Sequence, residues 1–354
     1  MTKPILAAIL SVSSTVLTDE EKRLLEKANP LGVSLFGRNL QTKKQIKALT
    51  KNIKEVIGRD DVLIALDEEG GRVNRLKNAG FADYASQKVL GKIDRVNITK
   101  AHAELISEDM KSVGANFNFA PCLDMDYKET TNALKSRCLA RGVQKISKHG
   151  RILWQTYQKN GICPCIKHLP GHGRASTDPH LGLPVLDFSL KDLSRDFEPF
   201  ILNKDCPAAM TAHILIPEID KKNPVTMSKK AVKEIIRGVI DYKGFLISDA
   251  LEMHALRGSV SERVNASLDA GLDAVCYCLG DIKGLWEVVQ TRRFLTDCSL
   301  ERFGKIQAVL KKNNMQTNLD FLKQVYYSKI KDVKEKSVNY DATEVLFKLK
   351  KGVC

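Results

Sequence analysis

Short, uninterrupted apolar runs alternate with longer amphipathic stretches along most of this chain. An apolar run of a few residues bounded by turn formers reads as a strand covered on both faces. Residues 5–10, 32–36, 62–67, 163–168, 208–213, 244–249 and 273–277 have this form. Residues 115–121 alternate Asn with apolar side chains, as a half-buried strand would. Helical spacing fills the intervals. One helix follows Thr18, a plausible N-cap with Glu21 as its capping-box partner. Others are expected at 42–57, 98–113, 143–158, 190–202, 228–240 and 261–269. Eight strands alternating with helices, with no Gly/Ser-rich linker, predict a parallel α/β fold, and eight units favour a closed (β/α)8 barrel of the TIM type. The barrel is expected to occupy residues 1–300. Beyond residue 283 the chain reads as helices, and 301–354 as a basic, mainly helical extension packed on or trailing from the barrel.

Composition narrows the class. With 354 residues, 43% of them hydrophobic, the chain can build one large core. It holds no run of about 18 apolar residues, so no membrane-spanning helix is expected. The run at 5–10 is shorter than a signal-peptide core of ~7–15 residues, which favours a first strand. Nine cysteines, an odd number, follow no disulfide framework. Cys163, Cys165, Cys276 and Cys278 fall in strand-like runs and read as free, packed thiols of a reducing, cytoplasmic compartment. The net charge of +14 raises nucleic acid as a partner. Yet residues 301–354 alone hold twelve Lys and Arg against six Asp and Glu. Aromatic and basic residues do not interleave, so a solvated basic surface is preferred over a nucleic-acid interface.

Chemistry concentrates in Lys167-His168-Leu169-Pro170-Gly171-His172-Gly173, with Asp178-Pro179-His180 just beyond. Polar groups are delivered at a strand end and onto the loop after it. Three readings compete: histidines that only cap the loop, a metal site drawn from His168, His172, Asp178 and His180, or acid–base catalysis with Asp178 orienting His180. Pro170 and the glycines exclude two histidines on one helical face, the arrangement of a helical zinc site. Asp67, His168, His213 and Asp249 each end a proposed strand, and in a barrel such ends converge on the face that carries active sites. Asp67 runs into Glu68-Glu69-Gly70-Gly71-Arg72-Val73-Asn74-Arg75, Asp249 sits in Ser248-Asp249-Ala250-Leu251-Glu252-Met253, and Arg137 follows Lys135-Ser136.

These motifs together, in order and spacing over about residues 1–300, resemble glycoside hydrolase family 3, and more narrowly its single-domain bacterial β-N-acetylglucosaminidases of peptidoglycan recycling. The resemblance implies Asp249 as nucleophile, His180 as general acid/base and Asp178 as its partner, with no metal and no cofactor. It implies sugar binding by Asp67, Arg75, Arg137, Lys167 and His168, and the strand-end His213 joins that set. The implied substrate is a small molecule, a terminal N-acetylglucosamine on a 1,6-anhydromuropeptide, and the protein is expected to be a monomer. The chain departs from the family pattern at Ala250, where an acid is common, at Leu169 for Phe, at Pro179 for Ser, and at Cys138-Leu139 after Arg137. A phosphorylase or β-glucosidase of the same family is the alternative activity. An idle sugar-binding barrel is the alternative from another class, and a metal-dependent hydrolase a weaker third.

Overall fold

A computed structural model describes residues 3–312, 318–331 and 333. Of the basic extension expected at 301–354, residues 313–317, 332 and 334–354 lie outside the described residues. The strands in chain order are β1 (Leu6–Ser11), β2 (Pro30–Ser34), β3 (Leu63–Leu66), β4 (Glu68–Gly70), β5 (Val73–Asn74), β6 (Phe117–Asn118), β7 (Cys163–Leu169), β8 (Ala208–Thr211), β9 (Phe245–Ala250) and β10 (Ala274–Cys276). All but β4 and β5 close into one parallel barrel in the order β1-β2-β3-β6-β7-β8-β9-β10, with β10 back on β1 through Ala8 opposite Val275. This is the TIM-type barrel. The helices are α1 (Asp19–Ala28), α2 (Lys43–Ile57), α3 (Gln87–Ile93), α4 (Val96–Ser112), α5 (Asn132–Lys135), α6 (Val143–Lys159), α7 (Leu190–Ile201), α8 (Val260–Asp269), α9 (Ile282–Gln290), α10 (Asp297–Leu310) and α11 (Leu319–Ile330).

The apolar strands face two cores. Ala7 and Ile9 point into the barrel with Leu63, Ala65, Phe117, Cys163, Cys165, Phe245, Ile247 and Cys276. Leu6, Ala8 and Leu10 point outward to the helices, with Ile64, Leu66, Ile166, Leu246 and Val275. Strands buried on both faces need no polar alternation, which is why they read as continuous apolar runs. Phe303, Ile306 and Val309 of α10 join the interior cluster at the N-terminal end, and the Phe303 ring lies 6.4 Å from that of Phe245. Helix α1 carries the expected box, with the Thr18 side chain accepting from the Glu21 amide while the Glu21 carboxylate accepts from the Thr18 amide.

Two elements differ from expectation. Of residues 115–121 only Phe117 and Asn118 pair as strand. Backbone bonds continue beyond these two residues, and the Asn side chains add to them: Asn116 accepts from the Ile64 amide at 2.7 Å and donates to the Val62 carbonyl at 3.0 Å. Asn118 does the same to both backbone groups of Glu68, at 3.0 Å each. The helix expected at 228–240 is a wider π-type helix over Ala231–Val239, and the Ile240 amide reaches back five residues to Ile235. Among the described residues no helix is long and apolar enough to cross a membrane.

Candidate active site

The C-terminal ends of the strands open on one pocket. Asp67, Arg75, Arg137, Lys167, His168, Asp178, His180 and Asp249 all line it. They arrive from the end of β3, the hairpin β4–β5, the loop after α5, β7, the loop after β7, and β9.

One wall is a charge network. Lys167 is 1% exposed, and its ammonium contacts Asp67 Oδ1 at 2.7 Å and Glu69 Oε1 at 2.6 Å. Arg137 grips the same Glu69 carboxylate through Nε and Nη2, at 2.9 and 2.8 Å. Arg75 approaches Asp67 at 3.7 Å. Burial works against the charge on Glu69, but Arg137 and Lys167 override it and hold the carboxyl far below its usual range. Burial likewise opposes the Lys167 ammonium, and Asp67 and Glu69 more than offset it. The wall is therefore charged and preformed at neutral pH. The hairpin that carries Glu69 turns at Gly70 and Gly71, both at positive φ; a Cβ on Gly70 would stand 2.1 Å from the Ala85 carbonyl.

The loop at 170–189 carries Asp178 and His180. It is pinned where the His172 amide donates to Asp124 at 2.7 Å, where Pro179 accepts from the Ala255 amide, and where Leu186 meets Leu215. Between these points Asp178 Oδ1 accepts from the His180 amide at 3.0 Å and lies 2.7 Å from His180 Nδ1. That contact places the proton on Nδ1 and leaves Nε2 for a substrate oxygen. Burial raises the Asp178 carboxyl, but the two bonds from His180 win and its pKa falls. Asp249 is half-buried at the end of β9, and its Oδ1 accepts from the Ala250 amide at 2.8 Å. Burial disfavours its charge, yet His168, His213 and that amide hold its pKa below the ordinary value.

His213 departs from the expected sugar-binding set. It is fully buried and lies behind the pocket, with Nε2 3.0 Å from the Ala250 carbonyl and Nδ1 2.8 Å from Thr226 Oγ1. Fixing the backbone beside Asp249 consumes both ring nitrogens. The metal quartet of His168, His172, Asp178 and His180 does not form either. Asp178 and His180 pair with each other, while His168 pairs with Asp124.

Four residues matter beyond that set: three to which sequence reasoning gave no role, and His172, which it offered only as a loop cap or metal ligand. Asp124 is 1% exposed, and its Oδ2 is 2.6 Å from His168 Nδ1. His168 and His172 hold its pKa at about 2 against the burial that would raise it. The sequence does carry a signal, since Asp124 lies just past the fourth strand, where the other site acids were sought. Glu69 stood in the noted motif without a role. His172 lines the pocket with neither ring nitrogen bonded, and burial, with His168 beside it, lowers its pKa to about 4. Tyr326 of α11 is fully buried; its hydroxyl accepts from the Ala85 amide at 2.9 Å and is 2.9 Å from His102 Nδ1. His102 Nε2 in turn donates to the Glu69 carbonyl at 3.2 Å. The last described helix thus braces the backbone of the charged wall.

The same region predicts a pH optimum for stability. Burial pushes His102 and His172 down to about 4 and Glu68 up to about 8. Between those low values and the ordinary ~6.5, the unfolded chain binds protons on the two histidines that the folded one does not. That contribution makes stability rise with pH. Folded Glu68 keeps a proton that the unfolded chain releases above ~4.5, so its contribution falls as pH rises to about 8. The urea midpoint should peak near pH 6.5 and decline toward 8. In Glu68→Gln, whose amide oxygen still accepts from the Leu76 amide, the alkaline decline should flatten; an unchanged decline would remove Glu68 as its source.

A model of the glycosyl hydrolase family 3 N-terminal domain matches residues 6–303. A β-hexosaminidase of Bordetella pertussis is 34% identical over 297 residues, covering 79% of this chain and 83% of that protein. A β-hexosaminidase of Neisseria gonorrhoeae is 35% identical over 275 residues, covering 74% and 75%. The crystal structure of native NagZ from Neisseria gonorrhoeae aligns at 28% identity with a TM-score of 0.80, over 92% of this chain and 98% of that one.

Proposed function

The chain belongs to glycosyl hydrolase family 3, and we propose that it is a retaining exo-β-N-acetylglucosaminidase that frees terminal β-linked N-acetylglucosamine from anhydromuropeptides in cell-wall recycling. The observation that carries the mechanism is the Asp178–His180 pair set in one pocket with an ionised Asp249. The similarity to β-hexosaminidases and to NagZ supports the sugar. We place the enzyme in the cytoplasm as a monomer.

Asp249 attacks the anomeric carbon while His180 Nε2 protonates the departing glycosidic oxygen. The bond to the aglycone breaks as the bond to Asp249 forms. His180, now neutral, takes a proton from water, and the resulting hydroxide displaces Asp249 with retention. Most glycosidases give the second role to a carboxylate. A histidine serves because an imidazole passes between its two forms near neutral pH. Asp178 positions the ring. Asp67, Arg75, Arg137, Lys167 and His168 hold the sugar hydroxyls and acetamido group.

The test is turnover of 4-nitrophenyl β-N-acetylglucosaminide with and without phosphate and chelator. Free N-acetylglucosamine, formed without phosphate and undiminished by chelation, is expected. A sugar 1-phosphate product would make the protein a phosphorylase, and absence of turnover would favour the sugar-binding barrel. A binding measurement isolates Asp67. Asp67→Asn removes the charge that Lys167 and Arg75 orient toward the sugar. Affinity for N-acetylglucosamine by calorimetry should fall by about 1.5–3 kcal/mol, the worth of a charged hydrogen bond. Unchanged affinity would take Asp67 out of the sugar site.

A further inference from the structure

Beneath the sugar-facing surface, three side chains of metal-binding type meet, and a fourth, Cys138, lies against one of them. Cys122 Sγ is 3.3 Å from Asp124 Oδ2, which is 2.6 Å from His168 Nδ1. One ligand atom from each of these three lies within 4.8 Å of the other two. The Cys138 thiol adjoins that of Cys122, and the two share a small buried cluster with Leu134. None of the four is more than 5% exposed. Beside them the His172 ring, 5.8 Å from that of His168, leaves both nitrogens unbonded.

We propose that Cys122, Asp124 and His168, with the Cys138 thiol turning in as the fourth ligand, form a binding site for a soft divalent cation of the zinc–cadmium class, and that its occupation disturbs the sugar site. Two sulfurs, one imidazole nitrogen and one carboxylate oxygen suit such a cation and its tetrahedral geometry, whereas magnesium and calcium demand oxygen ligands. Binding is a proton exchange: two thiols lose their protons to solvent as the cation gains two thiolates. His168 must offer an unprotonated Nδ1, so its proton moves from that nitrogen to Nε2.

The move carries the regulatory consequence. In the metal-free protein His168 Nε2 accepts from Arg137 Nη2 at 3.4 Å. With the proton on Nε2, two donors confront each other. Arg137 is held by Glu69 and His168 by the cation, so this contact breaks and the surface offered to the sugar changes. By linkage, bound N-acetylglucosamine weakens the cation by the factor that the cation weakens the sugar.

The test uses full-length protein stripped with chelator, in a Cys298→Ala background because Cys298 is exposed. Cadmium chloride should bind stoichiometrically with an ultraviolet thiolate-to-cadmium absorption. Turnover of the nitrophenyl substrate should fall in parallel and return with chelator, and N-acetylglucosamine should weaken the cation. In Cys122→Ala and in Cys138→Ala the absorption should drop and the inhibition constant rise at least about tenfold, or 1.4 kcal/mol. Turnover in metal-free buffer checks that the variants are folded. Absence of a thiolate band in the parent protein would overturn the site, as would equal inhibition of parent and Cys122→Ala, which would move the cation to the Asp178–His180 pair. Because the band and the N-acetylglucosamine competition need no turnover, failure of this site is distinguishable from failure of the hydrolase assignment.

Discussion

Alanine at position 249 should abolish turnover, with a loss on the order of 10⁴–10⁶ in kcat, as for removal of other covalent nucleophiles. Asp249 ends β9 with one oxygen committed to the Ala250 amide, which leaves the other for the anomeric carbon. Its carboxyl is held below the ordinary value, so it is ionised at neutral pH and needs no activation by a neighbouring base. Without it no glycosyl-enzyme forms, and neither the nitrophenyl substrate nor a disaccharide should react. Stopped-flow absorbance should show no nitrophenol burst, while calorimetry should still register N-acetylglucosamine, because the charged wall of Asp67, Glu69, Arg137 and Lys167 is untouched. A burst from Asp249→Ala would place the nucleophile elsewhere.

His180→Ala should fail differently. Nitrophenolate leaves without a proton, so the glycosyl-enzyme should still form and release a burst of nitrophenol. Its hydrolysis should then be slow, because the base that activates water is gone. A sugar aglycone is a poor leaving group without a proton, and on a disaccharide-type substrate the rate should drop on the order of 10²–10⁴. The two substrates therefore separate the acid role from the base role in one variant. Full-rate cleavage of the disaccharide by His180→Ala would take general acid catalysis away from this residue.

Much of the fold was legible because its strands are covered on both faces. The runs at 5–10, 62–67 and 163–168 needed no pattern beyond continuous apolarity, and Asp67 and His168, which end two of them, line the same pocket. The fourth strand was legible in place but not in length, because its pairing is shared between backbone bonds and the side chains of Asn116 and Asn118. In the site, Asp178 and His180 are two residues apart and read together. Asp124 and His168 are 44 apart, and Tyr326 and His102 are 224 apart. Neither pair has a local signature, since what joins them is barrel closure and helix packing. His213 shows the reverse error: its strand-end position suggested a ligand contact, but its register turned the ring toward Ala250 and Thr226.

The brace from Tyr326 through His102 to Glu69 has a consequence for the order in which a growing chain becomes functional. Residues 6–303 contain every barrel strand, and the family match ends there. Tyr326 is made later, by about one to five seconds at a synthesis rate of roughly 5–20 residues per second. A nascent chain thus has all eight strands before the support behind its sugar-binding wall has been translated. The pocket acquires its final rigidity only when α11 docks, late in synthesis, after the catalytic face has already been laid down.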